Sequence, residues 1–281
     1  MKNRVITSVA ILAAMLTVVI FSKFIVYPLA LALLAIIATF EVLRVIGSHK
    51  IWTLSIPAYL ISAAFPLTAY FVDSNNSLEF LLILAAVVFV YLVWLMGVSV
   101  FSKGKIAFSK VSETLVGVTY VAVSFTSLSL IRYINHNFGV FLVVLVFVIS
   151  WTCDTAAFAV GSLIGKQKLI PEISPKKTVE GAIGGVVFSA LLCALYGLGL
   201  DLVIEKIQVN YLYLILFGII LSVVSQLGDL IASLIKREYD VKDYGRIFPG
   251  HGGVLDRFDS VLAVSTILLI LSIVFPPFVA G

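Results

Sequence analysis

Acidic and basic side chains are concentrated in one stretch of an otherwise apolar chain, between Asp229 and Asp259. Only 12% of the 281 residues are charged, and apolar runs flank this stretch at 211–227 and 261–279. Charge held at the edge of a membrane costs free energy unless a partner compensates it, so such a stretch is a functional-site hypothesis. The chemistry we expect here is the binding of metal and phosphate on the cytoplasmic side.

Three carboxylates in this stretch are candidate metal ligands. Asp229 ends one apolar run, and Asp256 and Asp259 open the next with a spacing that places them on one face of a helical turn. Mg²⁺ typically takes one or two protein carboxylates and completes its shell with water and phosphate oxygens. The alternative is a capped helix with salt bridges to Arg257 and Lys236. We favour the metal site, because so many charges at bilayer depth need a counter-ion.

The run that carries Asp229 also carries a polar stripe. Spacings of three and four place its members on one helical face: Ser222, Ser225, Gln226, Asp229, Ser233, Lys236 and Arg237. Such a stripe faces a cavity or other polar helices and not lipid. The loop that follows supplies further charges and a glycine-rich turn able to point N–H groups at a phosphate: Lys242, Asp243, Arg246, Gly250, Gly252 and Gly253. His251 is a candidate general base, although we favour a role in shaping the turn.

Asp154 is a further candidate, since it falls inside the apolar run 139–164. An ionised carboxylate there is costly without a partner, which favours a functional role over a structural one. Gly161 and Gly165 fall on the same helical stripe and allow close helix packing.

The segment that begins with Ser174 and Pro175 has the composition of a helix start. Lys176 and Lys177 would then lie in a first turn, where they oppose the helix dipole unless an anion is bound. A lysine pair that only sets membrane orientation is an equally supported alternative.

Glu41 and Arg44 lie three residues apart in another apolar run. This spacing permits an ion pair on one helical face, and we interpret it as structural and not catalytic.

Composition determines the class of protein. The chain is 61% hydrophobic with a mean hydropathy of +1.15, which excludes an ordinary soluble domain. A spanning helix needs about 20 apolar residues, and nine runs qualify: 5–22, 25–45, 51–72, 78–101, 111–134, 139–164, 178–200, 210–235 and 256–278. We predict an all-α, polytopic membrane helical bundle of about nine transmembrane helices, with an N-terminal region 1–75, a middle region 76–165 and a catalytic region 166–281.

Lysine and arginine counts predict the orientation. One side collects Lys2, Arg4, Arg44, Lys50, Lys103, Lys105, Lys110, Lys166, Lys168, Lys176, Lys177, Lys236, Arg237, Lys242, Arg246 and Arg257, and the other only Lys23, Arg132 and Lys206. The basic side is predicted to be cytoplasmic, with the N-terminus there and the C-terminus external, in the inner (cytoplasmic) membrane. The net charge of +4 therefore reflects topology and the attraction of anionic membrane lipids, and we expect no nucleic-acid partner. Cys153 and Cys193 both fall in apolar runs, so they indicate neither a disulfide framework nor a metal cluster.

The order of these residues resembles the signature of the phosphatidate cytidylyltransferases, also called CDP-diacylglycerol synthases, of bacterial type. The likeness runs without a gap from Ser233 to Asp259, 27 residues, and segments around Asp154 and 174–181 extend it over about 150–260. It implies that CTP and phosphatidic acid react to give CDP-diacylglycerol and pyrophosphate, a step of phospholipid biosynthesis. It also implies Mg²⁺, with room for a second cation, a homodimer and a site open to the cytoplasm.

The resemblance assigns roles by position. Asp229 and Asp256 would be metal ligands with Asp259 close by, and Lys236, Arg237 and Lys242 would contact phosphates. The expected catalytic set is Asp229, Asp256, Asp259, Lys236, Arg237, Lys242, Asp243 and His251. The expected substrate-binding set is Asp154, Ser174, Lys176, Lys177, Thr178, Glu180, Ser233, Arg246, Gly252, Gly253 and Arg257.

The alternatives are a transporter and another membrane enzyme that uses CTP or CDP-lipids, such as a lipid kinase or a CDP-alcohol phosphotransferase. A transporter would show internally repeated halves with paired broken helices, and the 229–259 pattern occurs once. A CDP-alcohol phosphotransferase would carry a dense aspartate cluster around an Asp-Gly-x-x-Ala-Arg run, which this sequence lacks. Nucleotidyl transfer needs positioning and charge neutralisation more than a strong base, since the lipid phosphate is already an anionic nucleophile.

Overall fold

A computed structural model describes residues 17–72, 76–134, 137–248, 250 and 252–280. Within these ranges, eight helices are long and apolar enough to span a membrane, one of them prolonged by the 3₁₀ turn Ala69–Phe71. In chain order they are α1 Val26–Ile46, α2 Trp52–Thr68, α3 Ser77–Phe101, α4 Phe108–Ile134, α5 Gly139–Ile164, α6 Val179–Val203, α7 Tyr211–Glu238 and α8 Leu255–Val274. The predicted class, an all-α polytopic membrane bundle, is confirmed.

Eight of the nine predicted runs coincide with these helices. The first run, 5–22, lies mostly outside the described residues, and only its end, 17–20, is seen as helix. An apolar run in a membrane satisfies its backbone most simply as a helix, which is why this part of the prediction succeeded.

Two short antiparallel sheets were not predicted. Strand β1, Lys168–Ile170, pairs with β2, Ser174–Thr178, and β3, Ile207–Val209, pairs with β4, Phe278–Ala280. Strands of three to five residues in loops have too few side chains to show a period of two.

The strand β2 corrects the predicted start of the seventh run. Ser174 does not cap a helix, because it lies in β2 opposite Ile170. The cap is Thr178, whose Oγ1 accepts the backbone N–H of Gly181 at 3.1 Å, and α6 begins at the next residue. Pairing with β1 draws the chain into an extended form before the helix begins, so Lys176 and Lys177 lie on a strand and not in a first turn.

The chain divides into two compact units. The first unit is Met1–Gly139 with Glu238–Arg257, and the second is Val140–Arg237 with Phe258–Gly281. In the first unit α1, α2 and α4 pack on one another, and the side chains of Leu43, Leu54 and Val118 are fully buried. Buried hydroxyls there pair with each other, as Thr39 Oγ1 and Ser62 Oγ do at 2.7 Å.

Glycines set the close approach of helices in the second unit. A Cβ on Gly181 of α6 would lie 2.5 Å from the carbonyl oxygen of Ala157 on α5. A Cβ on Gly228 of α7 would lie 2.7 Å from both the carbonyl oxygen of Asp259 and the Cβ of Ala263 on α8. Small residues at these crossings let the backbones pack in near contact, as is common between membrane helices. The acidic residues beside them are brought together as a result.

Candidate active site

The second unit gathers three carboxylates and two lysines at one place. Asp229 of α7 accepts an ion pair from Lys177 of β2, with Nζ 2.7 Å from Oδ2. Ser233, one turn further along α7, lies 3.3 Å from the other oxygen, Oδ1. The two charged side chains are about a quarter exposed, 25% for Lys177 and 29% for Asp229, so both can meet a ligand that enters from water. The sequence pattern indicates Lys177 and Asp229 as separate candidates, and the structure shows that they form an ion pair.

Asp259 and Asp154 complete this acidic group. Asp259 of α8 interacts electrostatically with Asp229 and Asp154, and Lys236 partly offsets the repulsion. The backbone N–H of Ser260 donates to Asp259 Oδ1 at 2.8 Å, and the Ser260 hydroxyl lies 3.3 Å from Asp154 Oδ2. Like charges held close together in a partly dry place repel each other, and a nearby cation relieves that repulsion. We call Asp154, Asp229 and Asp259 the acidic cluster.

The acidic cluster supplies some, but not all, of the ligands that a divalent cation needs. Within the described ranges, no three His, Cys, Asp or Glu side chains are arranged so that they could hold a metal ion by themselves. Mg²⁺ does not require such a group, since it usually binds through one or two carboxylates and keeps water or substrate oxygens in its other positions. Asp229 and Asp259 have the donor type and the mutual repulsion that a cation would relieve.

Asp256 has a different environment, in the first unit. Its Oδ2 accepts three backbone N–H groups of the loop before α8, from Tyr244 at 2.7 Å, Gly253 at 2.9 Å and Gly245 at 3.4 Å. Gly252 is in the left-handed region with φ of +86°, and the Phe248 N–H bonds its carbonyl at 3.0 Å. The glycine-rich turn is therefore folded around a carboxylate of this chain.

Glu41 and Arg44 also belong to this loop. Glu41 Oε1 accepts the N–H of Val254 at 3.0 Å, Oε2 accepts that of Leu255 at 2.9 Å, and Arg44 donates to the carbonyl of Tyr244. The ion pair expected between Glu41 and Arg44 is wrong in this described part of α1, because each side chain bonds the loop backbone instead. Spacing along one helix could not reveal partners about 200 residues away.

The remaining expected site residues divide between the units. Glu180 accepts the Gln167 N–H at 3.2 Å, and Arg237 Nε bonds the Ile173 carbonyl at 3.4 Å. The second unit contains Asp154, Ser174, Lys176, Lys177, Thr178, Glu180, Asp229, Ser233, Lys236, Arg237 and Asp259. The first contains Lys242, Asp243, Arg246, Gly252, Gly253, Asp256 and Arg257. His251 lies outside the described residues, so its role stays a prediction.

Sequence reasoning missed Ser260 and undervalued Glu41. Ser260 follows Asp259 directly, and its contact with Asp154 joins residues 106 positions apart. Glu41 is 1% exposed, and its position inside an apolar run was a signal that it has a role, but the nearby Arg44 offered a local partner that concealed the distant ones.

Comparison with known proteins decides the family. Residues 2–275 match the model of the cytidylyltransferase family. The chain belongs to this family. It is similar to the phosphatidate cytidylyltransferase of Bacillus subtilis (strain 168), with 34% identity and 98% of both chains covered. The protein of that name from Staphylococcus epidermidis is 35% identical, with 97% of this chain and 99% of the relative covered. For that of Staphylococcus haemolyticus the identity is 38% over 86% of this chain and 87% of the relative.

Membership of the cytidylyltransferase family makes the chain a nucleotidyltransferase enzyme. The match runs through α1 to α8, so the N-terminal helices belong to the family's pattern together with the signature around Asp229 and Asp259. The sequence resemblance, which rested on residues 150–260, is confirmed and extended to nearly the whole chain.

Proposed function

We propose that this membrane enzyme is a phosphatidate cytidylyltransferase, which converts CTP and phosphatidic acid to CDP-diacylglycerol and pyrophosphate in phospholipid biosynthesis. The observation that carries the proposal is the nearly full-length similarity, at 34 to 35% identity, to proteins of that name. The acidic cluster and its lysines supply the chemistry that such a reaction needs.

In the proposed reaction an oxygen of the lipid phosphate attacks the α-phosphorus of CTP. The bond from that phosphorus to the oxygen bridging to the β-phosphate breaks, and pyrophosphate leaves with the electron pair. Phosphoryl transfer of this kind depends mainly on positioning and on neutralising charge on the oxygens. Lys177 and Lys236, both in the second unit, and Arg237 beside them are the cations proposed to hold phosphate oxygens.

The ion pair of Lys177 with Asp229 supports a role for both residues in substrate binding. An ammonium group that lies 2.7 Å from a carboxylate is close to any phosphate that approaches the same carboxylate through a cation. Lys177 lies on a strand, and its neighbour Thr178 is fixed by capping α6. We infer that Lys177 exchanges its carboxylate partner for a substrate phosphate, which balances its charge in both states.

Asp229 and Asp259 are the residues proposed to hold Mg²⁺, and Asp256 stays a predicted third ligand. When bound, Mg²⁺ would neutralise charge on the attacking and leaving oxygens. Asp154 is proposed to contribute through Ser260, whose hydroxyl contacts it and whose backbone N–H holds Asp259. A second cation remains part of the proposal, because three carboxylates together with the substrate phosphates carry more negative charge than one Mg²⁺ balances.

The proposed site opens to the cytoplasm, as the excess of lysine and arginine on one side indicates. The lysine-bearing loops that alternate along the helix order, at 47–51, 102–107, 165–178 and 239–254, would all lie there. In this arrangement acyl chains stay in the bilayer while CTP arrives from water. The proposal also includes a homodimer in the inner membrane, which cross-linking in intact membranes would test.

The test of the reaction uses the purified full chain in detergent with phosphatidic acid vesicles, radiolabelled CTP and Mg²⁺. We expect labelled CDP-lipid and one pyrophosphate released for each, and none when Mg²⁺ is removed by chelation. Replacing labelled CTP by labelled dCTP in the same assay tests whether the enzyme distinguishes the two nucleotides. Absence of CDP-lipid with folded protein, or formation of product without any divalent cation, would contradict the proposal.

A further inference from the structure

A buried glutamate of the first described helix is bonded to the start of the last helix. Glu41 is 1% exposed, and its two carboxylate oxygens accept the N–H groups of Val254 and Leu255 at 3.0 and 2.9 Å. The first N–H groups of any helix lack partners within that helix, and a capping side chain normally comes from the adjoining loop. Here the cap is supplied by α1.

Arg44, one turn along α1, holds the other end of the same loop. Its guanidinium donates to the carbonyl of Tyr244, and the Tyr244 side chain is 2% exposed. The loop 244–255 is thus attached to α1 at its first residue and at its last two. These contacts tie the position of the loop to that of α1.

The fit of Glu41 in the loop is close. A Cβ added to Gly245 or to Gly253 would overlap Glu41 Oε1. Neither glycine has a positive φ, so the requirement for glycine at these two positions comes from the space that Glu41 occupies and not from backbone conformation. Two of the glycines in the loop, Gly245 and Gly253, are thus explained by an acid outside it.

The residue after Leu255 is Asp256, whose Oδ2 accepts the N–H groups of Tyr244, Gly245 and Gly253. Glu41 and Asp256 therefore hold the backbone of the same loop, through neighbouring N–H groups. A shift of the Glu41 carboxylate would move the N–H groups of Val254 and Leu255, and with them the first turn of α8, which carries Asp256.

We propose that Glu41 is a positioning residue for nucleotidyl transfer, acting through the N-terminus of α8 and the loop that holds Asp256. This inference rests on the proposed function for the nature of the reaction. It assigns the N-terminal region a part in the catalytic apparatus, in addition to anchorage in the membrane.

The test compares Glu41→Gln with Thr39→Val in the purified full chain. Glutamine preserves volume but presents an NH₂ to one of the two N–H groups, so one hydrogen bond is lost and two donors oppose each other. Thr39 is a matched control on the same helix, because it is also fully buried and also loses one hydrogen bond, that to Ser62 Oγ.

Two measurements are made on both variants. Steady-state kinetics with CTP, phosphatidic acid vesicles and Mg²⁺ should show kcat lowered about tenfold or more in Glu41→Gln, as expected when a reacting group is displaced by a fraction of an ångström. The KM for CTP should change less than kcat, and Thr39→Val should match the wild type. Hydrogen–deuterium exchange without Mg²⁺ or substrate should be faster at residues 244–255 in Glu41→Gln only.

Each outcome decides between positioning and stability. Equal kcat in Glu41→Gln and the wild type, or equal exchange at 244–255 in Glu41→Gln and Thr39→Val, would overturn the positioning role. A wild-type chain that forms no CDP-lipid would overturn the proposed function instead, while exchange still reports on the anchor. If Glu41→Gln does not fold, Glu41→Asp replaces it, since it keeps the charge but withdraws the carboxylate by one methylene. We expect an intermediate kcat from it, and a wild-type kcat would count against positioning.

Discussion

Two sets of buried or half-buried acids in this enzyme have opposite surroundings. In the acidic cluster, Asp229 and Asp259 meet another carboxylate and a small number of lysines and hydroxyls. In the loop before α8, Glu41 and Asp256 accept five backbone N–H groups between them. The same chemical group therefore faces other carboxylates and a few lysines in one place and is saturated by backbone hydrogen bonds in the other.

This difference separates carboxylates suited to binding a ligand from carboxylates that hold the fold in place. A carboxylate that faces like charge is destabilised, and a cation relieves that repulsion, which is why the acidic cluster is the proposed metal site. A carboxylate that accepts several N–H groups is stabilised within the fold and fixes the backbone around it. Mutation to the neutral amide should accordingly remove binding in the first set and weaken structure in the second.

The largest effect is expected from Asp229→Asn. It removes a proposed metal ligand, and turnover should fall by at least about a thousandfold. The midpoint of thermal unfolding should hardly change, because the lost ion pair with Lys177 is partly exposed and such pairs contribute about 0–1 kcal/mol, while repulsion of Asp259 is relieved. The measurements are CDP-lipid formation and thermal unfolding in detergent.

Asp201→Asn is the matched control for that variant. Asp201 lies near the C-terminus of α6, away from the acidic cluster, and it accepts a hydrogen bond from the Tyr211 hydroxyl at 3.0 Å. It should keep the wild-type kcat. Normal turnover in Asp229→Asn itself would remove the metal assignment.

A second prediction concerns Asp256→Asn, where activity and stability should fall together. An amide oxygen accepts the three N–H groups more weakly than a carboxylate, and hydrogen bonds to charged groups exceed neutral ones by up to about 2 kcal/mol. We expect turnover at least about a hundredfold lower and faster amide exchange at residues 244–255. An Asp256→Asn protein with wild-type exchange in this loop would break the contrast between the two sets of acids.

A smaller effect is expected from Gly228→Ala, which disturbs the packing beside the acidic cluster without touching a charge. The new methyl group would lie 2.7 Å from the Asp259 carbonyl oxygen and from the Ala263 Cβ, and overpacking of this kind costs about 1–3 kcal/mol. We expect a lower unfolding midpoint. We also expect a roughly tenfold loss of kcat, because the methyl group would displace α8 and Asp259 with it.

Gly199→Ala on α6 is the control for this crossing, since a Cβ there meets nothing within 4 Å. It should leave both kcat and the unfolding midpoint unchanged or slightly raise the latter, because alanine favours a helix over glycine. An unchanged Gly228→Ala enzyme would show that the acidic cluster tolerates movement of α7 against α8.

Much of the fold was predictable because a membrane allows few solutions to the backbone. Apolar length gave the position of α1 to α8, and charge in apolar surroundings identified Asp154, Asp229 and Asp259 as candidates. The sequence pattern groups Asp229 and Asp259 with Asp256, however, and leaves Asp154 by itself, whereas the structure places Asp154 with Asp229 and Asp259. The strand β2 was missed, because Ser174 and Pro175 locally favour a helix start and only pairing with β1 overrides that preference. The partners of Glu41 could not be predicted, because nothing in a single sequence indicates a contact across more than 200 residues.

The span between Glu41 and Leu255, 214 positions in the chain, has a consequence for biosynthesis. Insertion proceeds from the N-terminus, so α1 enters the bilayer with its acid long before the loop that completes it has been translated. Until the final helix emerges, Glu41 lacks its partners at Val254 and Leu255, and the proposed site lacks Asp259. With the proposed site, we expect a premature stop before α8 to leave inert protein in the membrane, and not a partly active enzyme competing for nucleotide.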